Sequence, residues 1–141
     1  MTGTVEQIAV AAEESALPGA VPEVEVGARG IVGDRYADAG DITLIEAEAL
    51  EAFTDETGLP LSHEDSRRQV LTRGIRLNDL VGKRFRVGEV EVVGRELCEP
   101  CSHLQSMTRD GVLRGMVHRA GLNADIVTPG RIAVGDEVAG G

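Results

Sequence analysis

"KRFRVGEVEVVGREL", residues 83–97, alternates apolar and polar side chains on both sides of a glycine. Phe85 and Val87 before Gly88, and Val90 and Val92 after it, recur at every second position, the period of a half-buried strand. The stretch therefore predicts two strands around Gly88. Just upstream, "RQVLT" (68–72) reads as another short strand, and "LNDLVG" (77–82) as a tight turn or a single helical turn.

Working outward, "TVEQIAVA" (4–11) and "EVEV" (23–26) carry strand-compatible alternation, separated by a Gly-, Pro- and Asp-rich tract of turns. "ADIVTPGRIAVGDEV" (124–138) predicts two short strands joined at Thr128-Pro129-Gly130. The period changes twice. Leu44, Ile45, Ala49, Leu50 and Phe53 lie near helical spacing before Gly58 and Pro60, and Val112, Leu113, Met116 and Val117 do so before Gly121. Residues 44–54 and 110–120 are thus the expected principal helices. No βαβ series is evident. Short strands, Gly-rich turns and few helices predict one mainly-β domain over residues 1–141, a barrel or a sandwich.

Composition narrows the function. The chain has 141 residues and a formal net charge of −10, which argues against general affinity for nucleic acid or anionic membranes. Tyr36, Phe53 and Phe85 are its only aromatics, too few for a platform that stacks bases. The sequence shows no secretory signal and no apolar run of about 20 residues, so a cytoplasmic location is expected. Charge is unevenly spread: residues 67–119 hold eleven of the fourteen Lys and Arg against six acids. This basic block suggests an anion site, since guanidinium groups match phosphate and carboxylate geometry.

The block contains both cysteines, in "GRELCEPCSHLQ" (94–105). A structural disulfide is not expected in a reducing compartment. Zinc is disfavoured, because Cys98 and Cys101 with His103 and His118 fit no common spacing; His63, in the polar "LSHEDS", reads as a solvated loop residue. A dithiol–disulfide pair remains open, although its usual βαβ setting is missing around the motif. So does a reactive or metal-ligating thiol, because Glu99, Pro100, Ser102, His103 and Gln105 make no core environment. Pro100 should turn Cys101 out of the sheet, while Cys98, at the end of an alternating strand, is placed to face the core.

Three segments, "GIVGDRYADAGDITLIEAEALEAF" (30–53), "RRQVLTRGIRLNDLVGKRFRVGEVEVVGRELCEPCSHL" (67–104) and "HRAGLNADIVTPGRIAVGDEV" (118–138), resemble the MOSC domain family in the family's order. The family is named for the C-terminal domain of molybdenum cofactor sulfurases. The resemblance implies a β-barrel-like domain with a few short helices, and sulfur or molybdenum-cofactor chemistry. By position it implies Cys101 as the residue that carries sulfane sulfur or ligates molybdenum, with Cys98 as an accessory thiol. Arg68, Arg73, Arg76, Asn78, His103 and Arg119 are the candidates to hold molybdopterin, and the arginines are expected on one concave face with Cys101. Where an Asn is expected after the paired arginines the chain has Gln69. Asp34, after Gly33, is read as structural.

The resemblance implies no pyridoxal phosphate in this chain alone. It implies a separate cysteine desulfurase or electron-donor protein as partner, and a small-molecule substrate or cofactor. Two further readings stand beside sulfur carriage or cofactor binding: molybdenum-dependent reduction of N-hydroxylated compounds, and cofactor-free dithiol–disulfide exchange.

Overall fold

The alternating stretch folds into an antiparallel hairpin, β7 (Arg84–Val87) and β8 (Val90–Leu97), with Val87 opposite Val90. Phe85, Val87, Val90 and Val92 are buried, while Arg84 and Arg86 face outward. The structure is a computed structural model and describes residues 2–11, 19–34, 40–58, 62–63, 68–98 and 121–140. The other described strands are β1 (Thr2–Val10), β2 (Gly19–Val21), β3 (Glu23–Gly27), β4 (Gly30–Ile31), β5 (Asp41–Glu46), β6 (Val70–Arg73), β9 (Leu122–Thr128), β10 (Gly130–Ala133) and β11 (Glu137–Gly140). One α-helix, α1 (Ala47–Thr57), and a 3-10 turn (Leu77–Leu80) complete the described elements.

The hairpin sits in a sheet ordered β11-β7-β8-β9-β5-β6-β1-β2, and β11 also pairs with β1. That pairing closes a seven-stranded barrel and removes the sheet edges that would otherwise be exposed. A second sheet, β10-β3-β4, lies beside it. The barrel interior is aliphatic, as three aromatics in the whole chain require: Ile8, Ile42, Leu44, Val70, Val92 and Leu122 are wholly buried there. A smaller core forms outside the barrel wall, where Ala47, Leu50 and Phe53 of α1 meet Ile45, Leu71 and Cys98. No helix among the described residues is long and apolar enough to cross a membrane.

Glycine is required where backbones approach closely. A Cβ on Gly94 would run into the Leu80 carbonyl oxygen, because the 3-10 turn crosses β8 there and the Gly82 N–H donates to the Gly94 carbonyl at 2.7 Å. A Cβ on Gly121 would run into the Leu44 carbonyl oxygen, and its φ of 110° also favours glycine.

Two sequence expectations need correcting. The first helix begins at Ala47 rather than at residue 44, because Leu44 and Ile45 are the end of β5. Leu44 faces the barrel interior and Ile45 faces the helix-covered core, so a strand buried on both faces imitates helical spacing. The same stretch does contain a βαβ unit: β5 and β6 pair in parallel, Leu44 opposite Val70, with α1 in the connection. As expected, two strands, β9 and β10, are joined at Thr128-Pro129-Gly130. β9 pairs with β8 and β5, β10 with β3, and a third strand, β11, follows. The expected helix at 110–120 lies outside the described residues.

Candidate functional site

β8 carries the chain to the first cysteine. After Gly94 the strand bulges, so that Arg95 is the extra residue between the pairs Gly94–Ala124 and Glu96–Asn123. Pairing continues with Leu97 opposite Leu122, and the Cys98 N–H donates to the Gly121 carbonyl at 2.8 Å. The two ends that flank residues 99–120 are thus hydrogen-bonded neighbours. Cys101, His103 and Arg119 belong to that segment and lie outside the described residues.

Cys98 is buried, 7% exposed, in the core beneath α1. Burial pushes its thiol up from the ordinary cysteine range; Arg68 pulls it down, Asp41 and Glu96 push it up, and Arg95 pulls it down. Arg95 is itself engaged. It donates from Nη2 to Asp41 at 2.7 Å and from Nη1 to Asp125 at 3.1 Å, two carboxylates opposite one another on β5 and β9. Its placement follows from the bulge, which strand alternation alone does not reveal.

The predicted arginines have different surroundings. Arg68 is half-buried and, among the described residues, is the cation that acts most strongly on Cys98. Arg73, on β6, donates to Glu6 at 2.6 Å from Nε and to Glu51 at 2.6 Å from Nη2, and the two carboxylates raise its basicity. Glu6 reaches it because β1 bulges at that residue, between Val5 and Gln7. Arg76 is exposed, with Nε 3.7 Å from Asp79, and Asn78 is exposed on the 3-10 turn.

Strand alternation gives no sign of the buried polar network that adjoins Arg68. Asp34 accepts from the Ala11 N–H at 2.9 Å through Oδ1 and from Gln69 Nε2 at 2.8 Å through Oδ2. Gln69 Oε1 accepts from the Thr43 N–H at 2.9 Å, and Thr43 Oγ1 accepts from the Gln69 N–H at 3.0 Å. Asp34 is structural, as expected, and one backbone partner, the Ala11 N–H, is 23 positions away. The Gln69 amide is committed to the fold. His63, expected in solvent, is 4% exposed. Among the described residues no group of three or more His, Cys, Asp and Glu is arranged to hold a metal ion.

A cleft of about 480 Å³ is lined by Glu25, Val26, Val32, Glu89, Pro129 and Arg131, among others. It opens beside the start of β8, whereas Cys98 follows its end. Eight residues of strand separate the two, roughly 26 Å.

The barrel, its external helix and a cysteine at the end of β8 define a known class. The MOSC domain family model matches residues 34–139, and the chain belongs to that family. Membership ties it to molybdenum-cofactor-related function at the level of the family. Among solved structures, the YUAD protein from Bacillus subtilis superposes with a TM-score of 0.84 at 18% identity, over 98% of this chain and 94% of that one. YiiM from Geobacillus stearothermophilus gives 0.80 at 14% identity, over 99% and 75%. YiiM from Escherichia coli gives 0.76 at 17%, over 100% and 70%. At these identities the likeness is one of fold. Comparison with curated proteins returns no match.

Proposed function

We propose that this protein binds molybdenum cofactor or carries sulfane sulfur through the thiol of Cys101, with Cys98 as an accessory thiol. The observation that carries the reading is the position of Cys98. It follows the last residue of β8, next to the hydrogen-bonded return at Gly121, with Arg68 as the cation among the described residues that acts on it most. Cys101 is joined to Cys98 by three residues of chain, a span of at most about 11 Å. Arg119 precedes Gly121 by two residues, at most about 7 Å.

Among the described candidates Arg68 fits an anionic cofactor best, because its charge is felt at the Cys98 sulfur. Arg73 fits poorly, since Glu6 and Glu51 already take its donors. Arg76 and Asn78 are exposed and can contribute only from the start of the 3-10 turn and the residue before it. Bound molybdopterin would supply a dithiolene-held metal with affinity for thiolate. The chain's part is to present the thiolate, to hold an anionic group with Arg68, Arg119 and His103, and to keep Cys98 protonated. In sulfur carriage, the Cys101 thiolate attacks the outer sulfur of a donor persulfide, and the donor leaves as thiolate without net oxidation. The donor, a cysteine desulfurase on this reading, is a separate protein.

A buried, high-pKa Cys98 makes a poor attacking thiol, which sets dithiol exchange behind these readings. The test is protein purified gently from a cofactor-producing host. Molybdenum with pterin fluorescence supports cofactor binding, and added mass of one sulfur atom on Cys101 without metal supports sulfur carriage. Neither load, together with a readily formed Cys98–Cys101 disulfide, overturns both.

A further inference from the structure

An accessory thiol must be reached, and Cys98 is buried. Among the described residues, what packs with it is separable from the barrel interior. Ile45 on β5, Leu71 on β6 and Cys98 itself form a floor on the outer wall, and Ala47, Leu50 and Phe53 of α1 form a roof. These residues make a cluster of their own, apart from the barrel core of Ile8, Leu44, Val70 and Leu122. Lifting α1 therefore unpacks the small cluster and leaves the barrel closed.

The helix has little to hold it by itself. It spans 11 residues, its N-cap Glu46 makes no side-chain capping bond, and its last turn carries no basic residue. An isolated helix of that length is marginal in water. Its hold is packing together with ties from its carboxylates, and those ties converge on the end of β6. Glu48 accepts from the Gly74 N–H at 2.7 Å. Arg73 donates to Glu51 twice, from Nη2 at 2.6 Å and from Nη1 at 3.2 Å. Alternation along β6 puts Leu71 and Arg73 on one face, so the strand that floors the cluster also supplies the cation at its rim. From the other side Glu6 of β1 takes Nε at 2.6 Å and Nη2 at 3.3 Å. That second fork holds the guanidinium in an orientation that presents its remaining edge to Glu51.

We propose that α1 is a cover over Cys98 and that Arg73 is the positioning residue that latches it: Glu6 aims the guanidinium, and Glu51 ties the helix to it. The significance of the cover rests on the proposed role of Cys98 as accessory thiol, but its test needs neither cofactor nor sulfur donor. The measurement is N-ethylmaleimide labelling of Cys98 in the folded protein, followed by intact mass. Cys101→Ser is the common background, so that one thiol reports.

Opening of α1 alone gives a labelling rate that stays flat as urea is raised towards, but well below, the unfolding midpoint. Arg73→Gln and Glu51→Gln should each speed labelling about twofold to fivefold, the range for an exposed ion pair. Combined, they should do no more than Arg73→Gln alone, because both break one tie. Glu6→Gln should speed it less, and only while Arg73 is present. Leu50→Ala, which thins the roof, should speed it on the order of thirtyfold or more. If Leu50→Ala does not fold, the exposed latch variants still decide the matter. Ile132→Val, in the barrel core, should lower the urea midpoint and leave the flat rate unchanged. Labelling that follows the unfolding curve throughout, latch variants that label as the background does, or equal acceleration by Ile132→Val would overturn the proposal. Absence of molybdenum and sulfur load from the parent protein overturns only the functional reading, and ungated labelling overturns only this one.

Discussion

Burial under α1 sets the chemistry of Cys98. Its thiol is pushed up by desolvation, so near neutral pH it stays protonated and reacts slowly. Cys98→Ser should leave most of the fast alkylation of the protein unchanged, and peptide mapping after brief iodoacetamide treatment would check this. Two glutamates, one just before α1 and one within it, titrate in opposite directions. Arg73 lowers the Glu51 carboxyl, so the folded state gains stability above the unfolded carboxyl range and loses it as pH falls through the lowered folded value. Burial raises Glu46, so its ionised form opposes folding above its raised pKa, and that opposition fades as pH falls towards the unfolded value. Glu46→Gln keeps an acceptor for the Leu77 N–H and should be neutral or stabilising at pH 7, with the difference shrinking near pH ~4. Glu51→Gln should be weakly destabilising at pH 7 and likewise converge in acid. Urea unfolding at both pH values measures the two signs.

At the scale of elements, carboxylates at the end of β5 and along α1 clasp the end of β6 and the segment after it. Glu51 accepts from Arg73, Glu48 from the Gly74 N–H at 2.7 Å, and Glu46 from the Leu77 N–H at 3.2 Å. Beneath them Phe53 is wholly buried, and Phe53→Ala should cost about 3–5 kcal/mol, in the range for large-to-small core changes. Asp34→Asn should cost about 1–3 kcal/mol by stranding a buried donor, and Gln69→Glu in the same chain should recover most of it. Chemical denaturation of the single and double variants tests both values. The elements themselves were largely legible. Strict alternation found β3, β7 and β8, and the Gly88 turn, because one face of each meets water and the other meets the core. The pattern failed at β5, which is buried on both sides and therefore lost its period of two. It also gave no warning of the bulges at Glu6 and Arg95, which depend on a partner strand rather than on local sequence.

For the whole molecule, the lopsided charge of the sequence becomes complementarity in the fold. Arg73 meets Glu6 and Glu51, and Arg95 meets Asp41 and Asp125: basic residues of the middle segment beside acids of the flanking ones. The basic block was visible in the sequence. Its pairing was not, because strands far apart in the chain bring the partners together. The MOSC resemblance was legible from glycines, a strand and a cysteine spread over nearly the whole chain, and the family match agrees with it. Gln69 looked like a departure from the family pattern, and its role emerges only once Asp34 and Thr43 are placed beside it. On the proposed function one thiol, Cys101, carries the chemistry. Its most direct test is molybdenum analysis and intact mass of the parent, Cys101→Ser and Cys98→Ser proteins made side by side in a cofactor-producing host. Metal or sulfur load is expected in the parent, most of it kept in Cys98→Ser, and none in Cys101→Ser. Full load in Cys101→Ser, or equal loss in both variants, would contradict it.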